Sequence, residues 1–216
     1  MKTWTYAEAR EKLQDDLDLQ EELFITPNEL MGYFNDAIDE AETIVHNLYE
    51  DYFLTSDTVT VLNGVSRYPM PVDIFANKLR LVTLDDDCET EIKRAKLGAK
   101  SEYDLAYNIQ HRNALEGITF NLLGTTTPGQ VITRWYIRNA NRVSEDSSLI
   151  DIPESMGFIF AYVKAMAMTK ESHPMIQKAM ADLDFQRQNL TVTLQSMVPD
   201  GDNYISPDLA FYMDHL

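Results

Sequence analysis

The sequence predicts an α+β protein: a helical bundle formed by N- and C-terminal helices, with an inserted antiparallel β unit and an extended C-terminal arm. Three observations carry this. Apolar residues recur at three- and four-residue steps in the first 50 residues and again after residue 143, and between these stretches the period falls to two. The last 18 residues open with a Pro199-Asp200-Gly201-Asp202 turn that a helix does not cross, yet they hold Tyr204, Ile205, Leu209, Phe211, Tyr212 and Met213. The implied divisions are 1–51 and 144–198 for the bundle, 52–143 for the β domain and 199–216 for an arm that docks onto its own bundle or onto a neighbouring subunit.

The elements follow from local chemistry. Thr5-Tyr6-Ala7-Glu8 is a capping box, in which a hydroxyl and a carboxylate satisfy each other's backbone amides, and it opens a helix to about Leu19. Thr26-Pro27-Asn28-Glu29 repeats the box with proline where its missing N–H does no harm. Leu30, Tyr33, Phe34, Ala37, Ile38, Ala41, Ile44, Val45 and Leu48 then form one stripe of a helix ending near Glu50, with Asp36, Asp39, Glu40 and Glu42 on the other face. In the middle, Thr58 to Leu62 and Val65 to Tyr68 flank Asn63-Gly64 and predict a β-hairpin. Lys78 to Leu84, Glu89 to Arg94, Gly117 to Leu122 and Gln130 to Arg138 read as further strands. In the last of these, Val131, Thr133, Trp135 and Ile137 share one face, while Arg134, Tyr136 and Arg138 share a face that is wet or shared. Asp151-Ile152-Pro153-Glu154 opens a third helix and Ser172-His173-Pro174 a fourth, making a helical hairpin.

The net charge of −17 is concentrated at the ends. Residues 1–51 carry 14 acids against 3 bases, residues 52–198 carry 17 against 15, and residues 199–216 carry 4 against none. Such a chain repels nucleic acid, which excludes backbone-clamping roles. Self-repulsion for solubility accounts for the charge; so does an acidic face, built from Asp36, Asp39, Glu40 and Glu42, that meets a basic partner or lines a channel through which DNA slides. No run of about 18 apolar residues and no apolar leader occurs, which predicts a chain made in the cytoplasm without a membrane partner.

The catalytic patterns are missing one by one. There is no glycine-rich phosphate cradle, no Gly-x-Ser-x-Gly elbow and no His-Glu-x-x-His pair. The lone Cys88 sits among acids, where a thiolate is disfavoured. His46 follows Glu42 by one turn, which reads as a pair on the helix surface rather than half of a di-iron site. Asp85-Asp86-Asp87 and Asp200-Gly201-Asp202-Asn203 match turns better than calcium loops. Asn189-Leu190-Thr191 is a glycosylation sequon with no secretory route to use it. No catalytic residue, metal or cofactor is expected.

Several phrases together resemble one family. They are the Tyr6 to Asp18 helix, Phe34-Asn35-Asp36-Ala37-Ile38-Asp39-Glu40-Ala41, Leu48-Tyr49-Glu50-Asp51-Tyr52-Phe53-Leu54-Thr55 and Tyr68 to Lys78. Trp135-Tyr136-Ile137-Arg138-Asn139-Ala140, Asp151-Ile152-Pro153-Glu154 and Met197-Val198-Pro199-Asp200-Gly201-Asp202 complete the set. The chain resembles the head-to-tail adaptor, or connector, proteins of short-tailed bacteriophages, with a layout broadly similar to tail tubular protein A. That resemblance implies a structural virion protein of the phage neck, a homo-oligomeric ring of twelve copies bound beneath the portal protein. It extends the DNA channel and offers a platform to tail nozzle or fibre proteins. It also implies that Tyr204, Ile205, Leu209, Phe211 and Tyr212 on the arm make contacts with a neighbouring subunit or the portal. Leu97 to Arg112 matches nothing in the family pattern. Two other classes stay open: another neck or tail-completion structural protein, and a small metal-dependent enzyme built on a carboxylate cluster formed only in the fold.

Overall fold

Thr26 adopts extended backbone and takes the Glu29 amide on its hydroxyl, while the Glu29 carboxylate takes the Thr26 amide at 2.9 Å. The box fixes the start of a 22-residue helix. The structure is a computed structural model that describes residues 2–17, 25–84, 90–96, 105–111 and 117–197. Among these are four helices: α1 (Tyr6–Leu17), α2 (Pro27–Leu48), α3 (Met156–Lys170) and α4 (Ile176–Met197). They are joined by ten strands in three sheets. The chain divides into two compact units, one built from Met1–Glu50 and the chain from Ala140 onward, the other from Asp51–Asn139.

In the helical unit, α3 is apolar nearly all round and packs against α1, α2 and α4. Phe34, Ile38, Phe158, Ile159 and Leu194 are excluded from water, and each such side chain contributes about 2 kcal/mol by burial. The Tyr6 ring meets Phe34 edge-on at 5.3 Å, and Trp4 meets Phe160 at 5.5 Å. A two-residue ladder closes the unit: β1 (Trp4–Thr5) pairs antiparallel with β10 (Leu149–Ile150).

The other unit holds two four-stranded sheets over one core. The first has the order β2-β9-β4-β5, from β2 (Leu54–Thr60), β4 (Ile74–Leu84), β5 (Thr90–Glu91) and β9 (Val131–Arg138). The second has the order β3-β8-β7-β6, from β3 (Arg67–Pro69), β6 (Lys93–Arg94), β7 (Leu105–His111) and β8 (Ile118–Gly124). Val82 and Ile132 from the first sheet share a core with Tyr107, Phe120 and Leu122 from the second. Ile92, buried between β5 and β6, marks where the chain passes from one sheet to the other.

These observations correct the expected architecture. The fold is not a helical bundle carrying a single inserted antiparallel unit, because three sheets are present, and β6 pairs with β7 in parallel. The predicted hairpin is also overturned. Asn63-Gly64 does make a turn, with Gly64 at a φ of 72°, but β2 pairs with β9 and β3 with β8. The turn is a corner between sheets, held by the Tyr68 hydroxyl, which accepts from the Leu62 amide and donates to the Val65 carbonyl, each at 3.0 Å. β7 falls within the stretch that matched no element. β4 starts four residues earlier than expected and is bent by a bulge at Ala76 and Asn77, whose φ values of 46° and 57° are rarely adopted by side-chain-bearing residues. The C-terminal arm, residues 199–216, lies outside the described residues.

Candidate assembly surfaces

The four acids expected to form an open face on α2 are not equivalent. Asp36 and Asp39 are exposed, Glu40 is half-buried and Glu42 is buried. Glu42 accepts the Ala140 amide at 2.7 Å on one carboxylate oxygen and the Arg142 guanidinium at 2.9 Å on the other, and His46 Nε2 lies 3.5 Å from it. Arg142 also pairs with Asp39, and Arg187 on α4 pairs with Glu40. Two turns before Glu42, the Asn35 side chain donates to the Val143 carbonyl and accepts the Val143 amide, at 3.0 and 2.9 Å.

Together Asn35 and Glu42 pin residues 140–143, a segment with no regular ladder of its own, along α2. They supply the backbone partners that a strand would otherwise provide. This face of α2 is therefore largely an internal latch, and Asp36 and Asp39 are its water-facing acids. Spacing along one helix could not reveal the latch, because its other half lies about a hundred residues away and shows no period.

The β unit contains a buried charge that sequence reasoning placed on a wet or shared face. Arg134 faces the inter-sheet core, with its side chain 4% exposed. Its Nε donates to Asp57 at 2.9 Å, its second terminal nitrogen also binds Asp57, and Nη1 donates to the Pro69 carbonyl at 2.8 Å. The guanidinium lies over the Phe120 ring. Asp57 and Arg134 are directly opposed in the β2–β9 ladder. On the same face Tyr136 donates to Asp73 at 3.0 Å; burial, followed by that carboxylate, pushes its phenol up to about 12. β9 is thus buried on both faces, since Ile132 and Ile137 are equally excluded from water.

Apolar side chains stand in water on each unit. Leu62 and Val65 flank the corner turn and Val72 is fully exposed. Among the described residues β2 is an edge strand, with β9 as its partner on one side only. In the helical unit, α4 buries Ala179, Leu183, Leu190 and Leu194 but leaves Phe185 58% and Val192 64% exposed. Those two are seven residues apart and share the outward face. Beside them a groove of about 280 Å³ is lined by Lys164 and Met168 of α3 and by Met175, Lys178, Ala179 and Asp182.

The expected arm contacts Tyr204, Ile205, Leu209, Phe211 and Tyr212 lie outside the described residues, as do Cys88 and both acidic turn sequences. Among the described residues no group of three or more His, Cys, Asp or Glu side chains is placed to hold a metal ion, and no helix is long and apolar enough to cross a membrane. Comparison with protein-family models finds no match, and neither does comparison with curated proteins.

Proposed function

We propose that this chain is a non-enzymatic structural subunit of a virus particle, a head-to-tail adaptor that assembles with itself into a ring between a portal protein and tail nozzle or fibre proteins. The observation that carries the reading is the set of large apolar side chains exposed on both units of a chain with net charge −17. Exposed apolar patches mark sites of association. A subunit in a closed ring uses two different patches for its two neighbours and further ones for the layers above and below. Leu62, Val65 and Val72 on the β unit, and Phe185 and Val192 on the helical unit, supply separate patches of this kind. The open edge of β2 adds backbone donors and acceptors for strand addition. DNA passes through such a ring without being held, in keeping with the net charge of −17.

Ring formation needs no cofactor and no catalytic group. In this reading the arm residues Tyr204 to Tyr212 bind a neighbouring subunit or the portal once the ring forms. The experiment is negative-stain imaging of the chain co-expressed with the portal protein encoded near it. A twelve-fold ring added to the outer end of the portal is expected, and it is lost on deletion of residues 199–216 while the helical content of the isolated chain persists. A bare portal beside free chain overturns the adaptor reading in favour of a more distal tail component.

A further inference from the structure

Of the bases in the helical unit, Lys2, Arg10, Lys12, Arg142, Lys170 and Arg187 are all in ion pairs among the described residues. Lys164 and Lys178 are in none of the unit's ion pairs among those residues, and both line the groove between α3 and α4. With Asp182 also in the lining, the groove keeps one net positive charge in a strongly acidic chain. Its walls are Met168, Met175 and Ala179, and methionine lines surfaces that accept varied apolar shapes. The exposed Phe185 and Val192 continue this apolar track toward the C-terminal end of α4. An acidic segment rich in large apolar residues is the chemistry that matches.

We infer that the groove and track take residues 202–214 of the same chain, stowing the arm along its own α4 before assembly. The segment has three acids, Asp202, Asp208 and Asp214, and no base, with aromatic and aliphatic residues interleaved. Its length fits. At 1.5 Å per helical residue, Val192 lies about 8 Å, Phe185 about 18 Å and Lys178 about 28 Å back along the axis from Met197. A chain that reverses at Asp200-Gly201 and returns extended covers about 3.3 Å per residue. Tyr204 and Ile205 then pass Val192, Leu209 reaches just beyond Phe185, and Phe211 and Tyr212 arrive at the groove with Asp208 and Asp214 on either side. The lysine amines meet those carboxylates. A second copy has the same chemistry to offer, but the match between segment length and helix length belongs to the chain's own arm.

This inference rests on the helical unit and does not depend on the adaptor reading. The test is zero-length carbodiimide coupling of the free full-length chain, which joins a lysine amine to a touching carboxylate, followed by separation under denaturing conditions and peptide mapping. Amides joining Lys164 or Lys178 to Asp208 or Asp214 are expected in the band of monomer mass. A F185S/V192S variant, altered only on the exposed face of α4, should lose most of that product. The same amides found only in the dimer band assign the groove to a second copy and overturn the inference. So does their absence from a sample in which the Lys170–Glu29 pair, 2.7 Å apart, is coupled.

Discussion

Removing the Asp57 carboxylate should destabilise the β unit more than removing its partner. Arg134 is almost wholly enclosed, whereas the Asp57 side chain is 31% exposed. In D57A the guanidinium stays buried with only the Pro69 carbonyl and the Phe120 ring to answer its charge. Breaking a buried pair in this way costs about 3–5 kcal/mol, and water entering through the space left by Asp57 brings the expected loss to about 3 kcal/mol. In R134M the carboxylate that remains can rehydrate, and the methionine fills apolar volume beside Phe120, so the loss is about 1 kcal/mol. The double variant should lie near R134M rather than at the sum, a coupling of about 2–3 kcal/mol. Urea unfolding followed by Trp135 fluorescence in a W4F background reads the β unit alone, because these are the chain's two tryptophans. The midpoint should shift without a change in slope. A D57A loss no larger than that of R134M would refute the argument that the charge is held in a water-poor site.

The latch on α2 gives a second expectation. E42A leaves the Ala140 amide without its acceptor and should cost about 1–3 kcal/mol by denaturant unfolding, with faster hydrogen exchange at Ala140. Tyr136 should ionise near pH 12 in an ultraviolet titration; since its folded-state pKa lies above the usual 10, its contribution to stability is complete below pH 10 and disappears toward pH 12. Glu29 goes the other way. The Lys170 ammonium and then the Thr26 amide hold its carboxyl down to about 2, so its contribution is present above pH 4.5 and is lost as the pH falls toward 2. A K170M variant should move the Glu29 titration, followed by NMR, back toward the ordinary carboxylate range.

What the sequence made legible was local. The Thr26 capping box, the stripe along α2 and the presence of the two later helices depend on residues within one or two turns of each other; α3 starts later than expected, since Pro153–Ser155 forms a 3-10 turn and the helix begins at Met156. Asn63-Gly64 specified a turn correctly but said nothing about which strands it joins, since pairing is decided by the partners that bury the flanking residues. β7 escaped because Leu105–His111 mixes Asn108 and Gln110 into its pattern, and Asn108 is buried only by bonding to Asn121 on the neighbouring strand. The same cause hid Arg134, whose burial makes sense only with Asp57 and Pro69, which lie 77 and 65 positions away. Of the acidic quartet, membership of one helix was readable and the partner of each carboxylate was not.

The helical unit is made from both ends of the chain, and this sets an order of events during synthesis. α1 and α2 leave the ribosome before α3, with Phe34, Ile38 and Val45 facing water, and that packing partner begins only at Met156. At about 5–20 residues per second, the roughly 90-residue β unit occupies between about 5 and 20 s of translation. Throughout that interval the nascent helices carry a bare apolar stripe beside a dense run of acids. The excess of 14 acids over 3 bases in residues 1–51 acts at this stage too, as electrostatic protection against self-association on the polysome before the chain's second half arrives to cover it.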